Sequence, residues 1–199
     1  GQVVSRRPLI GPRRARFQSA WRYQLDIDVV PEQRATALQL PTTGNSRSRT
    51  LAQTWRDAHG NDDQAVIDEA LALFNREFTY TLEPPPLGNH PVDDFLFNTK
   101  AGYCEYFASS FAFLMRAANI PTRIVTGYQG GSYNPSGNYW IVRNSDAHAW
   151  TEVWLASRGW VRVDPTAAVA PERINLGSLA AAMPEAAYWY SDGWGAEWR

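Results

Sequence analysis

One apolar helix followed by four strand-like segments constrains the fold of this chain more than any other feature. Apolar side chains recur at helical spacing over residues 105–119, and Pro121 ends the pattern. Residues 122–128, 139–143, 147–155 and 160–164 have strand composition and are joined by turn-forming residues. Short connections favour antiparallel neighbours. The pattern therefore predicts an α+β fold in which the helix packs on a meander of these four strands in consecutive order.

The first part of the chain predicts a small additional sheet. Apolar and polar residues alternate over 21–29, which is typical of a half-buried strand, and Pro31 ends this strand. Residues 36–40 are predicted to continue the same sheet. We therefore expect a subsidiary β region before the helices begin.

Two helices and a loop are predicted between this small sheet and residue 105. The first helix is capped by Ser46 or Ser48 and ends at Gly60, and the second begins at residue 61 or 62. Their inward faces consist of Leu51, Trp55 and Ala58 in the first helix and of Ile67, Ala70, Leu71, Phe74 and Phe78 in the second. Residues 87–100 follow a run of three prolines and lack strong periodicity, so a loop is expected there.

Composition excludes several classes of protein. A chain with 44% hydrophobic and 13% aromatic residues is too apolar to be disordered. Nineteen basic and twenty acidic residues give a net charge of −1, so no nucleic-acid partner is expected. A single cysteine excludes both a disulfide-stapled scaffold and a CxxC metal site.

That single cysteine, Cys104, lies at the predicted first turn of the apolar helix, after Gly102 and Tyr103. The free N–H groups and the dipole of a helix start favour a thiolate. Because a free thiol has a pKa of about 8.5, a nucleophile at neutral pH also needs a neighbouring base. A buried, unreactive cysteine is the alternative interpretation.

His148 is the best candidate for that base among three histidines. His59 lies near a predicted helix end, where an imidazole can cap carbonyl groups, and His90 lies in the predicted loop. His148 lies on a predicted strand between Ala147 and Ala149, whose small side chains leave space beside the ring.

A carboxylate that orients the base is expected at Asp164, which ends the next strand. Sixteen residues separate it from His148, and a register that pairs even with even positions puts both on one face. Asp146 and Glu152 are the alternative orienting residues. A metal held by Cys104, His148 and Asp164 is a further alternative, but CxxC and HxxxH spacings are absent, so neither a metal nor a cofactor is expected.

The sequences around these three residues resemble a known family. Residues 102–108 (GYCEYFA), 147–153 (AHAWTEV) and 159–166 (GWVRVDPT), together with 120–123 and 125–128, are similar to the transglutaminase-like core of the papain-like superfamily. The resemblance is dense over about residues 95–173 and looser over 21–87. It implies that Cys104 is the nucleophile, His148 the general base and then acid, and Asp164 the orienting carboxylate.

The same resemblance implies an activity. A member of this family is expected to act as a protein-glutamine gamma-glutamyltransferase, which forms a thioester with a glutamine donor and passes the acyl group to an amine acceptor. The alternative with the same residues is a cysteine protease or amidase that hydrolyses periplasmic peptides. A second alternative is a non-catalytic binding domain that keeps the shape of the superfamily.

The chain departs from the family at the oxyanion site. Animal transglutaminases use an upstream tryptophan to help hold the oxyanion, and here tryptophan is absent between Trp55 and Trp140. The Cys104 backbone N–H is expected to supply one hydrogen bond. The candidates for the second donor or for substrate binding are Asn98, Tyr80, Tyr103 and Trp150, and Tyr128, Tyr139, Trp140 and Trp150 are candidate walls of a cleft that limits hydration.

The resemblance also implies a location, since similar domains lie in the periplasm between transmembrane parts of bacterial inner-membrane proteins. Six arginines without an acid in the first 22 residues, and aromatic residues near the end, are typical of membrane-flanking segments. A solvated basic tail and a docked aromatic terminus are the alternative. We expect a basic segment with a small β region at 1–45, the catalytic core at 46–175, and an extension toward a membrane helix at 176–199.

Overall fold

Helices cover one face of a small antiparallel sheet in the computed structural model, which describes residues 26–171 together with Arg14 and Arg16. The α-helices in this range are α1 (Pro31–Ala37), α2 (Ser46–His59), α3 (Asp63–Glu77), α4 (Pro91–Asp94) and α5 (Cys104–Ala117). The strands are β1 (Thr79–Tyr80), β2 (Ala101–Gly102), β3 (Thr122–Tyr128), β4 (Ser132–Asn134), β5 (Tyr139–Ile141), β6 (Ala147–Leu155) and β7 (Gly159–Val163). The α+β class is thus confirmed, with mixed helices and antiparallel sheet.

Helix α5 lies at the centre of the hydrophobic core. Its apolar residues Phe107, Phe111, Leu114 and Met115 are fully buried. The Phe107 ring meets Phe74 of α3 edge-on at a centroid distance of 5.5 Å and Phe95 at 5.1 Å. Aromatic pairs in this geometry contribute about 0.5–1.5 kcal/mol each beyond burial of their surface. These contacts fix the position of the helix that begins with Cys104.

The main sheet has the strand order β3–β6–β7, and both pairs are antiparallel. The predicted consecutive meander is therefore wrong for the second of its four strands. Strand β5 pairs with β4 in a separate hairpin, and β3 pairs directly with β6. Gly130 and Gly131 have positive φ angles of 82° and 148°, so the chain turns out of the sheet after β3 before it returns as β6.

The predicted small sheet differs from the structure where the two can be compared. Residues 21–25 of its first strand lie outside the described residues, and 26–30 form bends and irregular backbone. The predicted continuation over 36–40 is wrong, because α1 occupies Pro31–Ala37. Pro31 stands at the helix start, where a missing N–H costs nothing, and Glu32 interacts favourably with the helix dipole.

The loop predicted over 87–100 is wrong from residue 91 onward, where the chain is helical as far as Thr99. Helix α4 continues into a π-helical turn at Phe95–Thr99, and the Lys100 N–H donates to the Phe95 carbonyl at 3.0 Å. A four-residue helix followed by a wide turn is too short to show a 3.6-residue period. The turn delivers the chain to β2, which pairs in parallel with β1 directly before Cys104.

The starts of α2 and α4 cap each other. Asp93 accepts hydrogen bonds from the Ser48 N–H at 2.8 Å, the Ser48 hydroxyl at 2.5 Å and the Arg47 N–H at 3.2 Å. In return, the Asn45 side-chain oxygen accepts from the N–H groups of Val92 at 3.0 Å and Asp93 at 3.1 Å. The predicted cap of α2 by Ser46 or Ser48 is therefore replaced by a carboxylate from a distant helix, which sequence spacing could not reveal.

Asp93→Ala is expected to destabilise the protein by about 2–3 kcal/mol, because it leaves the buried donors of Ser48 and the start of α2 without an acceptor. Burial opposes ionisation of Asp93, but the hydrogen bonds from Ser48 and Arg47 outweigh it and lower its pKa. A lowered folded-state pKa stabilises above the unfolded value of about 3.9, and this contribution is lost as the pH falls through the folded-state pKa.

Urea unfolding of wild type and Asp93→Ala, at neutral pH and in acid, measures this difference. The difference in the free energy of unfolding between wild type and Asp93→Ala should decrease in acid. Asp57→Ala is the matched control, since Asp57 accepts an exposed hydrogen bond from Gln53 and its loss should change stability by less than about 0.5 kcal/mol. Equal stability of the Asp93 and Asp57 variants at neutral pH would contradict this account of the α2–α4 contact.

Within the part of the chain that the structure describes, every helix is too short or too polar to cross a membrane.

Candidate active site

Helix α5 begins at Cys104, as the sequence predicted. The first N–H groups of a helix have no partner inside it. In α5, these groups and the positive end of the helix dipole therefore lie at the end that carries the Cys104 thiol. Glycine at position 102 allows the backbone to pass close to the first turn of α5, because a Cβ at this position would lie 2.7 Å from the Tyr106 ring. The cysteine is 8% exposed and is therefore buried but not sealed.

Small residues bring the histidine strand against the start of α5. Cys104, Ala108 of α5 and Ala149 of β6 form one buried cluster, with Tyr103 packed on it. Larger side chains at Ala108 or Ala149 would hold the helix and the sheet apart. Ala149 directly follows His148, so this close packing places the backbone of the histidine beside the start of α5.

The register of β6 and β7 brings His148 and Asp164 together. Glu152 pairs with Arg162 and Trp154 with Trp160, so even positions pair with even positions, as the sequence argument required. Asp164 directly follows β7, which puts it diagonal to His148 on the same face. The His148 Nε2 atom lies 2.8 Å from the Asp164 Oδ2 atom, and the His148 side chain is fully buried.

The environment of His148 favours the imidazolium form. Burial of the ring lowers the pKa of His148, but the hydrogen bond to Asp164 and the interaction with Cys104 outweigh burial and raise it above the ordinary value. Asp164 occupies Nε2, so Nδ1 is the nitrogen that remains for the thiol. Nδ1 is buried, and it has no hydrogen-bond partner among the described residues. The three side chains can therefore act as nucleophile, acid–base group and orienting carboxylate.

The alternative carboxylates have other partners, and the alternative histidines lie on other elements. Asp146 accepts from the Arg143 N–H at 2.7 Å, and Glu152 forms an ion pair with Arg123 at 2.5 Å. His59 ends α2 and lies 3.8 Å from Glu69, while His90 precedes α4. Among the three candidate carboxylates, Asp146, Glu152 and Asp164, it is Asp164 that is hydrogen-bonded to His148.

The remaining predicted site residues lie on different elements of the fold. Tyr80 pairs with Gly102 in the β1–β2 ladder and stacks on Phe107, two and three residues from Cys104. Tyr103 precedes α5 and contacts the cysteine cluster. Asn98 is exposed in the π-helical turn and donates to Asp94 at 3.0 Å. Trp150 stacks on the His148 ring at a centroid distance of 6.0 Å.

Three of the four expected cleft walls lie on or beside the β4–β5 hairpin, and the fourth, Trp150, lies in β6. Tyr128, Tyr139 and Trp140 are exposed, and Trp140 is 66% exposed. The hairpin leaves the sheet after Tyr128, which pairs with Ala147 beside His148. These aromatic residues therefore flank the end of the sheet that carries the imidazole.

Sequence reasoning missed Arg162. Its Nη2 atom lies 3.1 Å from the Asp164 Oδ2 atom, the same oxygen that binds His148. The available signal was its even position on the predicted β7 strand, which puts it on the face shared by His148 and Asp164.

Cys104, His148 and Asp164 were the alternative ligands of a metal on the sequence. Among the described residues, groups of three or more His, Cys, Asp or Glu side chains arranged to hold a metal ion are absent.

Known proteins are similar to this chain over the region that contains Cys104, His148 and Asp164. The model of the transglutaminase-like superfamily matches residues 49–165. A protein-glutamine gamma-glutamyltransferase of Pseudomonas aeruginosa is 48% identical over 172 residues, which is 85% of this chain and 26% of that protein. The uncharacterized protein YebA of Bacillus subtilis is 39% identical over 138 residues, which is 65% of this chain and 18% of that protein. The chain thus spans about a quarter or less of the length of these relatives.

Solved structures agree with the sequence comparisons. The crystal structure of the periplasmic domain of TgpA from Pseudomonas aeruginosa is 51% identical with a TM-score of 0.74, covering 76% of this chain and 53% of that one. The same domain bound to ethylmercury matches with a TM-score of 0.73 at 51% identity, over 75% of this chain and 54% of that one. A putative cysteine protease from Cytophaga hutchinsonii, 21% identical with a TM-score of 0.50 over 73% of this chain and 45% of that one, shares the fold. This chain belongs to the transglutaminase-like superfamily, as its motifs indicated.

Proposed function

We propose that this domain is a protein-glutamine gamma-glutamyltransferase that works through a thioester on Cys104. The observation that carries the proposal is the buried His148–Asp164 pair at 2.8 Å, on the strand whose Ala149 packs against Cys104 at the start of α5. The name of the 48% identical Pseudomonas relative supports the same activity.

The first half-reaction forms the thioester. The Cys104 sulfur attacks the carbonyl carbon of a glutamine side-chain amide, and His148 gives its proton to the departing nitrogen. The C–N bond breaks, ammonia leaves, and the acyl group stays on sulfur. Asp164 keeps the imidazole in the orientation in which Nδ1 faces the reacting atoms.

The second half-reaction releases the acyl group. An amine attacks the thioester carbon, His148 takes a proton from that amine, and the C–S bond breaks to regenerate the thiolate. Water can replace the amine in this step, which would give hydrolysis. The exposed aromatic residues Tyr128, Tyr139 and Trp140 flank this end of the sheet and would limit hydration once a substrate covers them.

The oxyanion of each tetrahedral intermediate needs hydrogen-bond donors. The Cys104 backbone N–H is one, since it lies in the first turn of α5. We assign the second role to Tyr80 rather than Asn98, because β1 pairs Tyr80 with Gly102, two residues before Cys104, whereas Asn98 is exposed in the π-helical turn. Tyr103 and Trp150 remain proposed residues of the substrate-binding surroundings.

The location and partners proposed for the domain follow from its relatives. The similar TgpA domain is described as periplasmic, and we propose the same compartment here, in a parent protein anchored in the bacterial inner membrane. The substrates would be a protein or peptide glutamine donor and an amine acceptor. Nucleic acid is not a proposed partner, since the net charge is −1.

Incorporation of a fluorescent primary amine into a glutamine-containing protein tests the activity. Incorporation that disappears in Cys104→Ala supports transfer. Peptide cleavage or ammonia release without incorporation indicates a hydrolase with the same residues, and absence of both indicates a binding domain. Acceptor amines must be supplied, because Lys100 is the sole lysine of the chain and is paired with Glu77 at 2.6 Å.

Ethylmercury provides a second test of the cysteine. The Pseudomonas TgpA domain binds this thiol-reactive compound, and Cys104 is the single thiol of the present chain. We expect one equivalent to bind and to block amine incorporation, with no binding to Cys104→Ala.

A further inference from the structure

Four side chains form a closed ring on one face of the β6–β7 pair. His148 binds Asp164 at 2.8 Å, and Asp164 binds Arg162 at 3.1 Å. The Arg162 guanidinium lies over the Trp150 ring at 4.4 Å, and Trp150 stacks on His148 at 6.0 Å with an interplanar angle of 21°. Each member of the ring therefore contacts two others.

The sheet geometry explains why these four residues meet. All have even numbers, and the register pairs even with even positions across β6 and β7. The neighbouring strand β3 leaves space for the ring, since a Cβ at Gly127 would lie 2.9 Å from the Trp150 indole. A bulky residue at position 127 would displace Trp150 from its place between His148 and Arg162.

Arg162 is held by more than its charge. Its Nη2 atom also donates to the Gln129 side-chain oxygen at 2.7 Å, and its guanidinium plane rests on Trp150. A planar, delocalised cation is suited to stacking and hydrogen bonding at the same time. Arg162 is thus fixed at the carboxylate although its side chain is 44% exposed.

Both oxygens of the Asp164 carboxylate have partners in this arrangement. Its Oδ1 atom accepts from the Thr166 N–H at 3.2 Å, while Oδ2 is shared by His148 and Arg162. An oxygen shared with a cation attracts the imidazolium proton less strongly than one that serves the histidine alone. Arg162 is therefore placed to weaken the hold of Asp164 on the histidine.

We propose that Arg162 is a positioning residue that acts through Asp164: it shares the Oδ2 atom and so limits how tightly the carboxylate holds the imidazolium of His148. Its catalytic meaning rests on the proposed function, in which His148 must release its proton to the leaving ammonia and take one from the incoming amine. A carboxylate without Arg162 would favour the imidazolium too strongly and slow the second step.

Charged and titratable groups reach the surroundings of His148 from several elements. Helix α5 contributes Cys104, the β7 side contributes Arg162 and Asp164, and Asp146 precedes β6 with its carboxylate turned to the Arg143 N–H. Strand β3 places Gly127 opposite His148, and its charged residue Arg123 is paired with Glu152 further along the sheet. Arg162 is therefore the cation that contacts the Asp164 oxygen bound to His148.

The pH titration of His148 measured by NMR tests the proposal in the absence of substrate. The chain has three histidines, so the His148 resonance can be assigned with His59→Gln and His90→Gln. In Arg162→Met, which keeps an apolar chain over Trp150 but removes the charge, we expect the titration midpoint to rise by about half a pH unit or more. Arg162→Lys should restore the wild-type midpoint.

A midpoint that stays unchanged or falls in Arg162→Met would overturn the proposal, because a purely structural loss of the His148–Asp164 contact leaves burial to lower the midpoint. Arg162→Gln is the second variant if Arg162→Met does not fold, with the same expected direction. The pH optimum for amine incorporation should move upward in the same variants. If amine incorporation is absent in the wild type, the proposed activity fails, whereas the NMR titration still decides the role of Arg162.

Discussion

His148→Ala is expected to reduce amine incorporation by about a thousandfold, in the middle of the 10²–10⁴ range for loss of a general acid–base group. The variant removes both the proton donor for ammonia and the base for the incoming amine. It also removes the partner that activates Cys104, so alkylation of the thiol by iodoacetamide near neutral pH should slow by more than about tenfold. Both rates can be measured on the same preparation.

His59→Ala is the matched control for this variant. It removes an imidazole from the end of α2, where it lies 3.8 Å from Glu69. We expect its incorporation and alkylation rates to match those of the wild type. Equal activities of His148→Ala and wild type would show that His148 does not take part in the chemistry.

Asp164→Asn is expected to lower amine incorporation by about 10²–10⁴-fold, because the orienting carboxylate selects the tautomer of the histidine. An asparagine can present an N–H to Nε2, which turns the ring into the tautomer with a proton on Nδ1 and leaves no base facing Cys104. The hydrogen bond from the Thr166 N–H to the side-chain oxygen can persist, so the local backbone should be retained.

The protonation of His148 provides a second readout for Asp164→Asn. Without the carboxylate, burial of the ring dominates, and the pKa of His148 should fall below the ordinary value of about 6.5. In the wild type the raised pKa stabilises the fold fully below about 6.5, and this contribution is lost as the pH rises through the folded-state pKa. The stability difference between wild type and variant should therefore be largest in mild acid and shrink at alkaline pH.

Glu152→Gln is the matched control for Asp164→Asn. Glu152 lies on the same strand as His148 but is paired with Arg123. We expect this variant to keep both its activity and its His148 titration. A larger loss in Glu152→Gln than in Asp164→Asn would reverse the assignment of the orienting carboxylate.

The parts of the site that local sequence could predict are those set by periodicity. The helical spacing after Cys104 and its termination at Pro121 predicted α5, and alternation in β6 and β7 predicted the face shared by His148 and Asp164. The close packing of Ala108 against Ala149 fits the same logic, since small residues on facing elements allow close approach.

The features that local sequence did not predict depend on tertiary contacts. The capping of α2 by Asp93 joins residues 45 positions apart, and the parallel pairing of β1 with β2 involves two residues on each strand. The pairing of β3 with β6 depends on the chain leaving the sheet at Gly130 and Gly131, which resembles an ordinary turn in the sequence. The alternation of β7 predicted on which face of the sheet Arg162 lies, but its contact with Asp164 depends on the tertiary structure.

In the proposed reaction, the sulfur of Cys104 receives the acyl group of a glutamine side chain. Intact-mass spectrometry of the domain, quenched in acid after mixing with a glutamine donor peptide in the absence of amine, tests it directly. We predict an adduct with the mass of the donor less one ammonia, located at Cys104, removed by hydroxylamine and absent in Cys104→Ala. An enzyme that labels amines without passing through this adduct, or an adduct that persists in Cys104→Ala, would contradict the account.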